Sequence, residues 1–200
     1  MRTCDEIYDL SNKIVVITGG LRGIGLEIVK TFSVGHGATV IIADKDAETS
    51  NTVISELIQH HKVNIDYHYL DLANNISCYD LVEYIKNKYC NKIDVLINNA
   101  RGGIKESVEN QTEDNWNHTF DVNLSGAFFL SRACMDVMKE NQSGTIVNLS
   151  SVSASFVSPE SPAYQLSKAA IEQMTRVLAV YGGKFGIRVN AVSPGFIVQD

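Results

Sequence analysis

The 200-residue chain contains no cysteine pair at metal-binding spacing, no basic run and no apolar stretch long enough to cross a bilayer. Each absence removes a class of protein. Cys4, Cys78, Cys90 and Cys134 are scattered, so neither a disulfide framework nor a zinc site is indicated, and they read as thiols of a reducing compartment. Lys and Arg number 17 against 23 Asp and Glu, a net charge of −6. Nucleic-acid binders need clustered cations, so none is expected as a partner. The opening MRTCDEIYDL lacks the basic-then-apolar pattern of a secretory signal, and no apolar run approaches the about 20 residues of a spanning helix. No membrane is expected as a partner, and a cytoplasmic protein is the expectation. His60 and His61 end an amphipathic segment and the other histidines are isolated; they read as solvated residues rather than metal ligands. Repeats, low-complexity tracts and linkers are also lacking, so 1–200 is expected to be a single domain around one core.

What is present is an alternation. Short β-branched runs at 13–18, 38–44, 65–72, 93–99, 144–151 and 187–193 are separated by amphipathic segments at roughly 23–35, 47–60, 76–90, 112–140 and 162–182. Most of the runs are apolar on both faces, as buried parallel strands are. Such alternation predicts βαβ units with right-handed crossovers, hence an α/β, doubly wound parallel sheet of about six strands in the order 3-2-1-4-5-6, flanked by helices.

TGGLRGIG, Thr18 to Gly25, follows the first strand and opens the first helix. Gly19, Gly23 and Gly25 permit a tight turn and close backbone approach, and the helix start offers free N–H donors to a diphosphate. In that context the loop predicts dinucleotide binding, whereas elsewhere it would be only a tight turn. Asp44, at the end of the second strand, can accept hydrogen bonds from ribose hydroxyls and repel a 2′-phosphate, which favours NAD. Arg22 and Lys45 point towards NADP, because a cation could clamp the extra phosphate. Asp44 is weighed more heavily, since a strand end fixes it.

Tyr164 and Lys168 in AYQLSK are four residues apart and therefore share one helix face. A free tyrosine hydroxyl, with a pKa of about 10, is a poor base at neutral pH, but a neighbouring ammonium eases loss of its proton. The pair is a credible acid/base unit, although the same spacing also occurs as surface pairing. Ser151 lies upstream at the end of the fifth strand, where a parallel sheet delivers side chains to a ligand crevice.

Together TGGLRGIG, Asp71-Leu72, the NNA at 98–100, Asn123 in DVNLSGAFF, Ser151, YQLSK and the SPG at 193–195 occur in the order of one family. The chain resembles the short-chain dehydrogenase/reductases over nearly its whole length. That resemblance implies a Rossmann fold, NAD(P)-dependent interconversion of a secondary alcohol and a ketone, and a homodimer or homotetramer. By it, Tyr164 would be the general acid/base. Lys168 would assist it and bind the nicotinamide ribose, Ser151 would orient the substrate oxygen, and Asn123 would hold a relay water. Gly19, Leu21, Arg22, Gly23, Ile24 and Gly25 would form the diphosphate loop, with Asp44 and Lys45 at the adenosine ribose. Asp71 and Leu72 would meet the adenine, Asn99 a ribose, and Pro194, Gly195 and Ile197 the nicotinamide side. NAD is the expected cofactor, with NADP second.

The chain departs from the family pattern in three places. Arg101 stands where the family has a glycine, as a clamp for an anionic substrate group or as a solvent-facing side chain. Gln199 replaces a threonine that often meets the nicotinamide amide. The family also continues through a substrate-covering lobe and a seventh strand, so this chain is expected to be C-terminally short. The segment 153–162, beginning at Ser153, should line one pocket wall. Its hydroxyl-rich composition leans towards a small polar substrate such as a sugar or hydroxy acid. A non-catalytic dinucleotide-binding protein, or an epimerase or dehydratase using NAD transiently, are the alternatives.

Overall fold

A computed structural model describes residues 9–197. Six strands alternate with helices: β1 (Ile14–Thr18), α1 (Gly23–Lys30), β2 (Thr39–Asp44), α2 (Ala47–His60), β3 (Asn64–Tyr69), α3 (Asn75–Lys88), β4 (Val95–Asn98), α4 (Glu113–Phe120), α5 (Ala127–Glu140), β5 (Gly144–Leu149), α6 (Pro162–Gly183) and β6 (Ile187–Val192). All pairings are parallel, and the sheet order is β3-β2-β1-β4-β5-β6. This is the doubly wound sheet predicted from the alternation. Among the described residues the sheet has six strands.

The two faces of the sheet divide the core by the alternation of strand side chains. Val16, Ile41, Leu96 and Ile146 join Leu81, Leu130 and Leu178 from α3, α5 and α6 on one face. Val15, Ile17, Val40 and Ile42 join Val29 and Leu57 from α1 and α2 on the other. Both sides of β1 are therefore sealed, as its sequence IVVIT requires. β3 and β6 form the two edges of the sheet: the residues of β3 are at best half-buried, and those of β6 alternate between buried and exposed over Ile187–Asn190.

Local chemistry sets the boundaries. Asp46 caps α2 by accepting from the Thr49 N–H, Asn74 caps α3 from the Ile76 N–H, and Thr112 caps α4 from the Asn115 N–H. Pro162 occupies the first turn of α6, where no N–H is needed. Two expectations require correction. The run 65–72 ends as a strand at Tyr69, because Asp71 turns the chain by accepting from the Ala73 N–H. The segment 112–140 is two helices joined by a π-helical turn, Asp121–Gly126. A Cβ at Gly126 would overlap the Leu72 carbonyl oxygen, so the wide turn and the small residue together let this segment approach the loop after β3.

Candidate active site

The carboxyl ends of the six strands converge on one cleft of about 460 Å³. Its wall runs from Gly19 after β1, through Asp44, Asp71 and Asn99, to Ser150 after β5 and Gly195 after β6. Between β1 and β4 the chain order along the sheet reverses, and ligands of open α/β sheets bind at such a switch point.

The loop after β1 is laced to the loop after β4. Asn99 Nδ2 donates to the carbonyls of Thr18 (3.0 Å) and Gly19 (2.8 Å), while Thr18 Oγ1 accepts from the backbone N–H groups of Asn99 and Ala100, both at 3.1 Å. Gly19 has φ 68°, and a Cβ there would stand 2.8 Å from Ala100 Cα. Both its conformation and its surroundings require glycine. At Gly25 a Cβ would overlap the Gly19 carbonyl oxygen. No side chain caps α1, and its first residues, Gly23, Ile24 and Gly25, line the cleft. An uncapped helix start on a glycine loop is a cradle for a diphosphate, so the residues present fit a dinucleotide.

Beside that cradle Asp44 Oδ1 accepts from the Asp46 N–H at 3.1 Å, which directs the next turn of chain. Asp46 accepts from Thr49 N (3.0 Å) and Thr49 Oγ1 (2.8 Å), and its Oδ2 lies 3.2 Å from Arg22 Nη2.

At the other end of the cleft, α6 presents Tyr164 and Lys168. Lys168 Nζ lies 5.6 Å from the Tyr164 ring centroid and donates to the Leu149 carbonyl at 2.5 Å. The lysine is only 3% exposed. Burial, with the Arg101 charge as a second cause, pushes its pKa down to about 8. Asn123 is buried beneath this wall: its Oδ1 accepts from the Gly102 N–H at 2.8 Å, and its Nδ2 donates to Ser167 Oγ at 3.0 Å. Ser167 Oγ donates in turn to the Tyr164 carbonyl at 2.8 Å. Asn123 thus ties the loop carrying Arg101 to the helix carrying Tyr164.

A family model described as short chain dehydrogenase matches residues 13–200. The chain belongs to the short-chain dehydrogenases. Among the similar relatives of these dehydrogenases is a 3alpha-hydroxysteroid dehydrogenase of Mediterraneibacter gnavus, 32% identical over 192 residues, covering 96% of this chain and 76% of the relative. A cyclopentanol dehydrogenase of Comamonas testosteroni is 31% identical over 188 residues, covering 94% and 74%. The solved NADPH-dependent 3-quinuclidinone reductase of Rhodotorula rubra superposes with a TM-score of 0.89 at 28% identity, covering 100% of this chain and 75% of that one. The dehydrogenase family consists of nicotinamide-dependent oxidoreductases and uses either NAD(H) or NADP(H).

In this dehydrogenase the structure brings to the cleft Gly19, Arg22, Gly23, Ile24, Gly25, Asp44, Lys45, Asp71, Leu72, Asn99, Arg101, Tyr164, Lys168, Pro194 and Gly195. Five other expected residues do not line it. The apolar Leu21 side chain is instead buried in the core cluster that includes Val29 and Ile42. Asn123 lies under the wall, committed to Gly102 and Ser167. Ser151 caps a short helical turn, Val152–Ala154, its Oγ accepting from the Ser153 N–H at 3.1 Å. Ser153, within that turn, does not line the cleft either. Ile197 is exposed beyond Gly195. Gln199 and Cys4 lie outside the described residues. The expected polar wall also exposes Phe156 and Val157.

Sequence reasoning missed His118, Val122, Ser150 and Asp46. His118 and Val122 both line the cleft and are four residues apart, a spacing that places them on one face of the helix expected over 112–140. His118, read as a solvated residue, is exposed but stands on the cleft wall.

Proposed function

We propose that the chain is an NAD(H)-dependent oxidoreductase interconverting a secondary alcohol and a ketone on a small polar substrate, with all of 1–200 acting as one catalytic domain. The observation that carries this reading is the Tyr164–Lys168 pair on one face of α6, in the cleft whose opposite end is the uncapped start of α1. A bound nicotinamide would supply hydride chemistry, and the remaining tasks fall to this chain. Tyr164 gives or takes the hydroxyl proton. Lys168, titrating near pH 8, adds positive charge beside it and can exchange protons close to neutral pH. Ser151, next to Ser150 of the cleft wall, accepts one bond from Ser153 and keeps its own proton, which it would donate to the substrate oxygen on turning into the cleft. Asn123 holds loop and helix in register and would hold a relay water that links Lys168 to solvent.

Arg101 has no carboxylate partner among the described residues and lines the cleft. A carboxylate on the substrate would answer its charge, which favours hydroxy acids. Asp44 supports NAD over NADP. Exposed Val177, Val180 and Tyr181 on α6 support a homodimer or homotetramer.

Replacing Tyr164 with Phe, and following nicotinamide absorbance with a panel of secondary alcohols, ketones and hydroxy acids, tests this reading. Turnover should fall by about 10²- to 10⁴-fold with NADH binding retained. Intact turnover would sink the mechanism. NADH binding without any turnover by the unaltered chain would leave a non-catalytic dinucleotide-binding protein.

A further inference from the structure

The sequence sets opposed charges at the adenosine end of the cleft. Asp44 disfavours a 2′-phosphate, whereas Arg22 and Lys45 invite one. A further charged residue, Asp46, links Asp44 to Arg22. Its backbone N–H is held by Asp44 Oδ1 at 3.1 Å, which fixes where its side chain starts. Its carboxylate is oriented by Thr49, through the N–H at 3.0 Å and the hydroxyl at 2.8 Å. The oxygen that accepts from the Thr49 hydroxyl also receives Arg22 Nη2 at 3.2 Å. Asp46 is therefore anchored on its own helix and has one oxygen directed at the guanidinium. Arg22, with a side chain 75% exposed, has no other hydrogen-bond or ion-pair partner among the described residues.

We infer that Asp46 is a cofactor-selecting residue, whose carboxylate engages the Arg22 guanidinium and so withholds it from a 2′-phosphate beside Asp44. The inference rests on the NAD reading above and deepens it: two carboxylates, one facing the ribose and one holding the loop arginine, act together against NADP(H). Thr49 keeps Asp46 ionised by stabilising its charged form, the backbone bond being the largest cause and the Arg22 charge the smallest. An exposed ion pair is weak and screened by salt. Selection by this route is accordingly modest, and a phosphate could compete for the guanidinium wherever the pair is loosened.

The test is Asp46→Asn in the full chain, with NADH and NADPH titrated separately by nicotinamide fluorescence. Asparagine keeps the cap oxygen for Thr49 but loses the charge that holds Arg22, so NADPH should bind about fivefold more tightly relative to NADH, the scale of one exposed ion pair. Asp46→Ser, which also caps, should move the ratio in the same direction and guards against an effect of the asparagine amide. The decisive arm repeats Asp46→Asn in an Arg22→Gln background, where the gain should vanish because the two residues act as a unit. A gain that persists there means that Asp46 repels the phosphate directly and overturns the inference, as does an unchanged ratio in both Asp46 variants. Asp44→Asn separates the two claims. If it leaves the ratio unmoved, the NAD reading fails; if it raises NADPH binding while Asp46→Asn does not, only the inference fails.

Discussion

Two arginines stand in one cleft and meet opposite surroundings. Arg22, at the glycine-loop end, is answered by a carboxylate of the same chain at 3.2 Å. Arg101, at the tyrosine end, has no acidic partner among the described residues, and its charge bears on the ammonium of Lys168. The first end is built of backbone, with glycines at φ 68° and 53° and the open N–H groups of a helix start, so on the reading proposed above a cation there would serve selection rather than attraction. The second end is built of side chains, and the Arg101 charge there disfavours the Lys168 ammonium, an opposition that an anionic ligand would relieve. A neutralised charge tunes which ligand fits, whereas an unanswered one makes a ligand's own charge part of the site.

The strongest way to break that contrast is to damage the backbone cradle. Gly25→Ala sets a methyl group against the Gly19 carbonyl oxygen and 2.5 Å from Asn99 Nδ2, neither of which can yield without loosening the lacing of the two loops. It should cost about 1–3 kcal/mol of stability and remove most NADH binding. Gly183→Ala is the control, since a Cβ there meets nothing within 4 Å, and it should be neutral or stabilising by up to about 1 kcal/mol. Thermal melting and NADH fluorescence distinguish the pair. NADH binding by the Gly25 variant at the native level would mean that the loop is not the cradle.

A second experiment measures what the side-chain end costs the fold. Lys168 titrates near pH 8 in the folded chain, below its ordinary 10.5, so between those values the unfolded chain holds a proton that the folded one has released. This lysine's contribution to stability is therefore least favourable below pH 8 and recovers as pH rises towards 10.5. Lys168→Met should melt higher than the parent at pH 7, by a few kcal/mol at most, with the advantage shrinking above pH 8. A gap independent of pH would show that burial of the ammonium carries no such cost.

The same division explains what the sequence disclosed. The sheet order followed from alternating apolar runs, and the glycine loop from its place after β1, because both depend on local pattern. The shared helix face of Tyr164 and Lys168 was legible from their spacing, but that spacing also suits surface pairing, and their roles came only with the family resemblance. The π turn at Asp121–Gly126 was not, because it answers a tertiary demand, the approach of Gly126 to Leu72. Asp46 stayed hidden for a similar reason. It sits two residues from Asp44 in plain view, but its role at Arg22 joins positions 24 residues apart through the fold. Ser151 was assigned by its strand end, and only the structure revealed the Ser153 N–H competing for its oxygen.

The smallest expected effect sharpens the comparison most. In Arg101→Gln one of the two causes that depress Lys168 disappears, while the larger, burial, remains. Removing a positive neighbour favours the ammonium, so the alkaline limb of kcat/KM set by Lys168 should move upward from about pH 8 by a fraction of a unit. If Arg101 also receives the substrate's charge, KM for hydroxy acids should rise in this variant while KM for neutral alcohols stays put. A shifted limb with no such split would make Arg101 an electrostatic neighbour of Lys168 and nothing more. A split with an unmoved limb would make it a substrate clamp too distant to affect the lysine. If neither changes, the two arginines differ only in having or lacking a partner, and the unanswered charge at the tyrosine end has no part in binding or catalysis.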